Sequence, residues 1–174
     1  MEKGAGYKID QRRRALGLKP LTELIQAYTS TVKQGDMPLA YRGILEFLGH
    51  LRSRFMKSGY EVSGLYPGYM DMSYVSVNTS SLKERGLKTA VVYLHGTECF
   101  EVWLSARNRT LSEQYATTFQ TVQGFHNDEN LDAILERALT SSPDFDEPEQ
   151  LAELIEREVE RFIQDVETIL EGGR

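Results

Sequence analysis

Lys88-Thr89-Ala90-Val91-Val92-Tyr93-Leu94-His95, then Gly96-Thr97-Glu98, then Cys99-Phe100-Glu101-Val102-Trp103-Leu104-Ser105 is the stretch on which the fold turns. Val, Tyr, Phe and Trp favour a pleated, half-buried surface. Two such runs parted by a short glycine-containing break form a hairpin signal. The reading is a pair of strands, 88–95 and 99–105, joined at Gly96-Thr97-Glu98. Upstream, Glu61–Leu65 and Tyr69–Val77 read as two more strands, separated by Tyr66-Pro67-Gly68, where proline and glycine favour a turn. Ser80–Arg85 is a helical turn closed by Gly86. Strands with connections this short form a mostly antiparallel sheet.

On both sides of the strands the apolar period changes to that of a helix. Leu21, Leu24, Ile25, Tyr28 and Val32 recur at spacings of three and four, so they share one face of a helix that Gly35 can end. Asp36 and Pro38 suit the first turn of a second helix, whose stripe runs through Tyr41, Ile44, Leu45, Leu48, Leu51 and Phe55 to Ser58-Gly59. After the strands, Thr110 and Glu113 have the spacing of a capping box for a helix ending at Gly124. Leu131, Ile134, Leu135, Ala138 and Leu139 read as a short amphipathic helix. Asp146 and Pro148 start the longest one, with Leu151, Leu154, Ile155, Val159, Phe162, Ile163, Val166, Ile169 and Leu170 keeping period to Gly172. The expected fold is α+β, a mostly antiparallel sheet of about four strands with helices from both chain ends packed on it. The expected organisation is a basic leader over 1–19 and one domain over 20–172.

Composition bounds the function. The chain has 174 residues, a net charge of -6, 40% hydrophobic and 26% charged side chains, which argues against wholesale disorder, a collagen-like repeat and a coiled-coil rod. No apolar run approaches the roughly 18 residues that cross a bilayer, and residues 1–19 lack the hydrophobic centre of a signal peptide. A lone cysteine, Cys99, cannot close an internal disulfide and suits a reducing compartment, so the expectation is a cytoplasmic protein without a membrane partner. Residues 1–19 carry a net +4 and residues 128–174 a net -11. The Arg12-Arg13-Arg14 cluster could touch phosphates, but no aromatic is interleaved with it and the chain is acidic, which argues against a nucleic-acid partner.

Successive strand residues point to opposite faces. If Phe100, Val102, Leu104, Ala90, Val92, Leu94, Met70, Met72 and Tyr74 all face the helices, then Tyr69, Asp71, Ser73, Tyr93, His95, Glu101 and Trp103 line the second face together. Arg107 and Asn108 follow at the strand end. Aromatic walls with a few convergent polar groups are what a ligand pocket needs, and a histidine near carboxylates suits acid–base work near neutral pH. These nine residues are the ligand-binding candidates. Against them stands the ordinary wet face of an antiparallel sheet, although a large aromatic such as Trp103 is wasted on solvent. No catalytic residue is assigned, no cofactor is identified, and no metal site is expected: His126, Asp128 and Glu129 lie in a capping loop without a second histidine. No phosphate-cradling glycine loop or serine elbow occurs.

At Tyr66-Pro67-Gly68-Tyr69-Met70-Asp71-Met72-Ser73-Tyr74, Leu82 to Lys88, and Phe100-Glu101-Val102-Trp103-Leu104 to Asn108, the chain resembles an uncharacterised prokaryotic family, a domain of unknown function. The resemblance runs from about Leu21 to Leu170. It implies no reaction, and it marks Tyr69, Asp71, Glu101, Trp103 and Asn108 as positions matching the family's pattern. The leading expectation is a domain that binds a small molecule or a peptide over the Trp103 face. One alternative is a divergent metal-dependent nuclease or hydrolase in which Asp71 and Glu101 pair to hold Mg²⁺. It is weakened by tryptophan at position 103, where nuclease folds of that type carry a lysine. The other is a structural module that forms a homodimer through the sheet face.

Overall fold

A computed structural model of the chain describes residue 17, residues 19–119 and residues 133–172. The chain divides into two compact units, Met1–Ile44 and Leu45–Arg174. The helices are α1 (Leu21–Gln34), α2 (Asp36–Lys57), α3 (Ser80–Glu84), α4 (Arg109–Phe119) and α5 (Pro148–Gly172), and the strands are β1 (Glu61–Val62), β2 (Met72–Asn78), β3 (Leu87–Leu94), β4 (Cys99–Ala106) and β5 (Leu135–Thr140).

In the first unit, α1 ends where Gly35 turns left-handed (φ 94) and donates its N–H to Val32 O. None of its residues is buried. In the second unit the strands form one sheet in the order β1-β2-β3-β4-β5, with every neighbouring pair antiparallel. The fold is therefore α+β, with one strand more than the sequence suggested. Val75, Val91 and Val102 stand in one cross-strand row and are fully buried. Their face carries the helices: Phe47 of α2 meets Phe100 at 5.6 Å between ring centroids, and Arg137 of β5 lies 5.2 Å over the Phe162 ring of α5. Of the nine residues its period selected in α5, Leu151, Ile155, Val159, Phe162, Ile163, Val166 and Leu170 are buried, Leu154 and Ile169 are half-buried, and Ala152 joins the core beside them. Arg54 of α2 ties the two helices together, its Nη2 2.7 Å and its Nη1 2.6 Å from Glu156 and Glu149, and the Glu156 hydrogen bond raises the guanidinium's already high proton affinity.

Two local expectations are corrected. Residues 133–139 do not form a helix, and Leu131 of that expected stripe lies outside the described residues: Leu135–Thr140 is β5, paired with β4 from Phe100 to Leu104 with a bulge between Phe100 and Glu101. Leu, Ala, Glu and Arg are good helix formers, but the unpaired N–H and C=O groups along the β4 edge reward a strand more than a short isolated helix could. The cap of α4 is Asn108, whose Oδ1 accepts from Leu111 N at 3.0 Å, and Glu113 instead pairs with Arg109. Thr110 is therefore inside the helix rather than capping it. The end expected at Gly124, the His126, Asp128 and Glu129 loop, and the Arg12-Arg13-Arg14 leader lie outside the described residues.

Candidate functional site

The register of the hairpin decides which candidates meet. Directly opposed residues in an antiparallel pair share a face. Tyr93 opposes Phe100 on one side and Ser73 on the other, whereas Val92 opposes Glu101 and Tyr74, and Ala90 opposes Trp103 and Ser76. The expectation that seven candidates line one face is thus corrected: Ser73, Tyr93 and their neighbours lie on the helix-bearing face, and Glu101 and Trp103 lie on the other. The cause is one residue of loop. Leu94 pairs with Cys99, so the connection is His95-Gly96-Thr97-Glu98, with Glu98 left-handed at φ 54. A three-residue break would give the opposite parity, and a slip of one residue exchanges faces.

The first group sits at the end of the sheet. Ser73 is fully buried and Tyr93 nearly so, and Tyr93 meets Phe100, Phe145 and His95 at 5.0, 5.7 and 5.1 Å. Ser73 Oγ donates to Pro67 O at 2.6 Å and lies 2.9 Å from His95 Nε2. The single hydroxyl proton is thereby used, so His95 Nε2 carries a proton and donates to Ser73. Burial pushes the imidazole below its ordinary range, and the charge of Asp71 pulls partly back. Asp71 Oδ1 accepts from Met72 N at 2.7 Å and Tyr69 N at 3.0 Å. Those backbone donors, Met72 first, hold its carboxyl below the usual carboxylate range. Asp71, His95 and Ser73 are types found in a hydrolytic triad, but a buried hydroxyl that gives its proton to a carbonyl cannot act as its nucleophile. The three instead fix the turn that leads into β2.

On the other face the cross-strand rows are Ser76, Ala90, Trp103, Glu136 and Tyr74, Val92, Glu101, Ala138. Trp103 Nε1 donates to Glu101 Oε2 at 2.6 Å. Tyr66 stacks on Tyr74 at 4.8 Å, and Lys88 Nζ lies 5.1 Å from the centre of the Tyr74 ring. Ala90 and Val92 between these side chains are buried, whereas Tyr74, Lys88, Glu101, Trp103 and Glu136 are half-buried. The Ser76 hydroxyl is buried and has no hydrogen-bond partner among the described residues. Cys99 Sγ lies 3.1 Å from Thr97 Oγ1. Sequence reasoning missed Tyr74, Lys88 and Ser76, because it assigned β2 and β3 the wrong parity.

Arg107 and Asn108 join neither group. Arg107 N donates to Gly86 O at 3.0 Å, and Asn108 caps α4. Asp71 precedes β2 with its Oδ1 bonded by Tyr69 N and Met72 N, whereas Glu101 of β4 is bonded by Trp103, so the two carboxylates of the nuclease reading have separate partners. Among the described residues, no three His, Cys, Asp or Glu side chains gather as a metal site requires, and no helix is long and apolar enough to cross a membrane.

One family model, described as Domain of unknown function (DUF7000), matches residues 21–170. Among curated proteins and among solved structures nothing matches the chain.

Proposed function

This chain belongs to the DUF7000 family, and from its sheet face we propose a binding domain whose ligand, a small molecule or a peptide side chain bearing an ammonium group, lies over Tyr74, Glu101 and Trp103. The observation that carries the reading is the 2.6 Å bond from Trp103 to Glu101. It holds an indole and a carboxylate side by side before any ligand arrives, and preorganised groups lose little freedom on binding. Glu136 opposes Trp103 across the strand pair, so a second carboxylate belongs to the same face. An aromatic ring beside carboxylates attracts a cation through its negative π-face and through charge. The chain's own Lys88 already sits over Tyr74 in this way. A polar group settling between Tyr74 and Trp103 would also satisfy the buried Ser76 hydroxyl, which otherwise bears the cost of an unmade hydrogen bond.

Titration of the protein with benzylamine and, separately, with benzoate tests this by two-dimensional amide NMR and by fluorescence of the single tryptophan. Benzylamine is expected to shift the resonances of Tyr74, Glu101 and Trp103 and to bind at least tenfold more weakly to Glu101→Gln. Equal responses to benzoate, or shifts confined to other parts of the sheet, would overturn it.

A further inference from the structure

At the sheet end where β2 begins, Tyr69 is 87% exposed and Met70 53% exposed. Both stand on a turn that is fixed from several directions. Gly68 is left-handed at φ 71 and Met70 at φ 68. Asp71 clamps two backbone N–H groups, its own carbonyl accepts from His95 N at 3.0 Å, and Ser73 binds Pro67 O. The neighbouring connection His95 to Glu98 is held to it by that His95 bond. Among the described residues Met70 and Glu98 are the two non-glycine residues with positive φ, and they occupy these two adjacent turns. A left-handed side-chain-bearing residue costs about 1 kcal/mol, which the hydrogen bonds of the turn offset, and the turn so held leaves Tyr69 and Met70 exposed. Tyr and Met are enriched as anchors in protein interfaces. Two carboxylates flank them: Asp71, held ionised by its backbone donors, and Glu98, which is exposed.

We infer that the paired turns Gly68–Asp71 and His95–Glu98 form a docking tip for another protein whose contact surface is apolar and rimmed by lysine or arginine. Tyr69 and Met70 supply the apolar anchors, and Asp71 and Glu98 supply the charge that selects the partner's basic rim. A second copy of this chain is the poorer occupant, because a tip-to-tip contact would bring the same carboxylates against each other. The surface is distinct from the Trp103 face, and neither reading depends on the other.

The test uses the full chain and three synthetic helical peptides labelled with a fluorophore. One has a leucine and phenylalanine stripe flanked by lysines, one has the same stripe flanked by glutamates, and one has lysines with serine replacing the stripe. The first is expected to bind at least tenfold more tightly than either of the others in polarisation assays. Tyr69→Ala and Met70→Asn should each weaken it at least tenfold, and Glu98→Gln should weaken it less and reduce its salt dependence. Tyr69 is at the surface and asparagine tolerates the left-handed backbone, so both variants keep the fold, which circular dichroism verifies. Binding that ignores Tyr69→Ala and Met70→Asn, or that prefers the glutamate peptide, would overturn the inference. So would sedimentation showing a dimer that Tyr69→Ala dissociates.

Discussion

A methyl group added to Gly68 would lie 1.7 Å from the carbonyl oxygen of Met72, on a residue whose φ is already 71. Neither the backbone nor that carbonyl can give way without breaking the Asp71 clamp. Gly68→Ala is therefore expected to destabilise the second unit by more than about 2 kcal/mol, read as a lowered urea midpoint. His95 has a pH signature. Its folded affinity for a proton is below the ordinary imidazole value of 6.5, so the unfolded chain binds a proton first as pH falls. Stability contributed by the neutral folded ring is complete above that value and is lost as pH drops below it toward the lowered folded one. His95→Gln, whose amide N–H can still donate to Ser73, should flatten the fall in urea midpoint between about pH 7 and pH 5. An unchanged pH slope would show that this ring does not titrate with folding.

Among the elements, α5 and α1 are both amphipathic by sequence, yet they differ in what covers them. Ile155 of α5 is fully buried, and Ile155→Ala should cost about 3 kcal/mol through lost transfer energy and the cavity left behind. Ile25 of α1 is 54% exposed, and the same truncation there should change stability by less than about 0.5 kcal/mol. Chemical denaturation of both variants checks the contrast. Asn108→Ala removes the cap of α4 and should cost about 1 kcal/mol by the same measurement. The capping residue could have been found from the sequence: asparagine directly before Arg109 is as good a cap as Thr110, and only the observed start of the helix chooses between them. At β5 the local sequence favoured a helix, and the unpaired edge of β4 overrode that preference.

For the molecule as a whole, hydrogen exchange should rank the segments by burial. Amides of β3, the central strand, should exchange only with unfolding of the second unit, and those of α1 much faster, since a 14-residue helix with no buried residue is marginal in water. Comparable protection in the two would refute that ranking. The hydropathy pattern by itself determined that the chain is α+β, where α1, α2 and α5 run, and that β3 and β4 form an antiparallel hairpin, because those features follow from local period and from turn-forming residues. It also separated Phe100, Val102 and Leu104 from Glu101 and Trp103, since β4 alternates between apolar and polar. It could not orient β3 firmly, because Ala90, Val91, Val92 and Tyr93 are all buried and only Lys88, at the start of the strand, marks the wetter face. Only the tertiary structure decided that His95 joins the connection, and with it which side of the sheet Tyr93 and Ser73 share. The parity of a hairpin is set by how many residues its turn holds, and the apolar strand beside that turn carries little record of it.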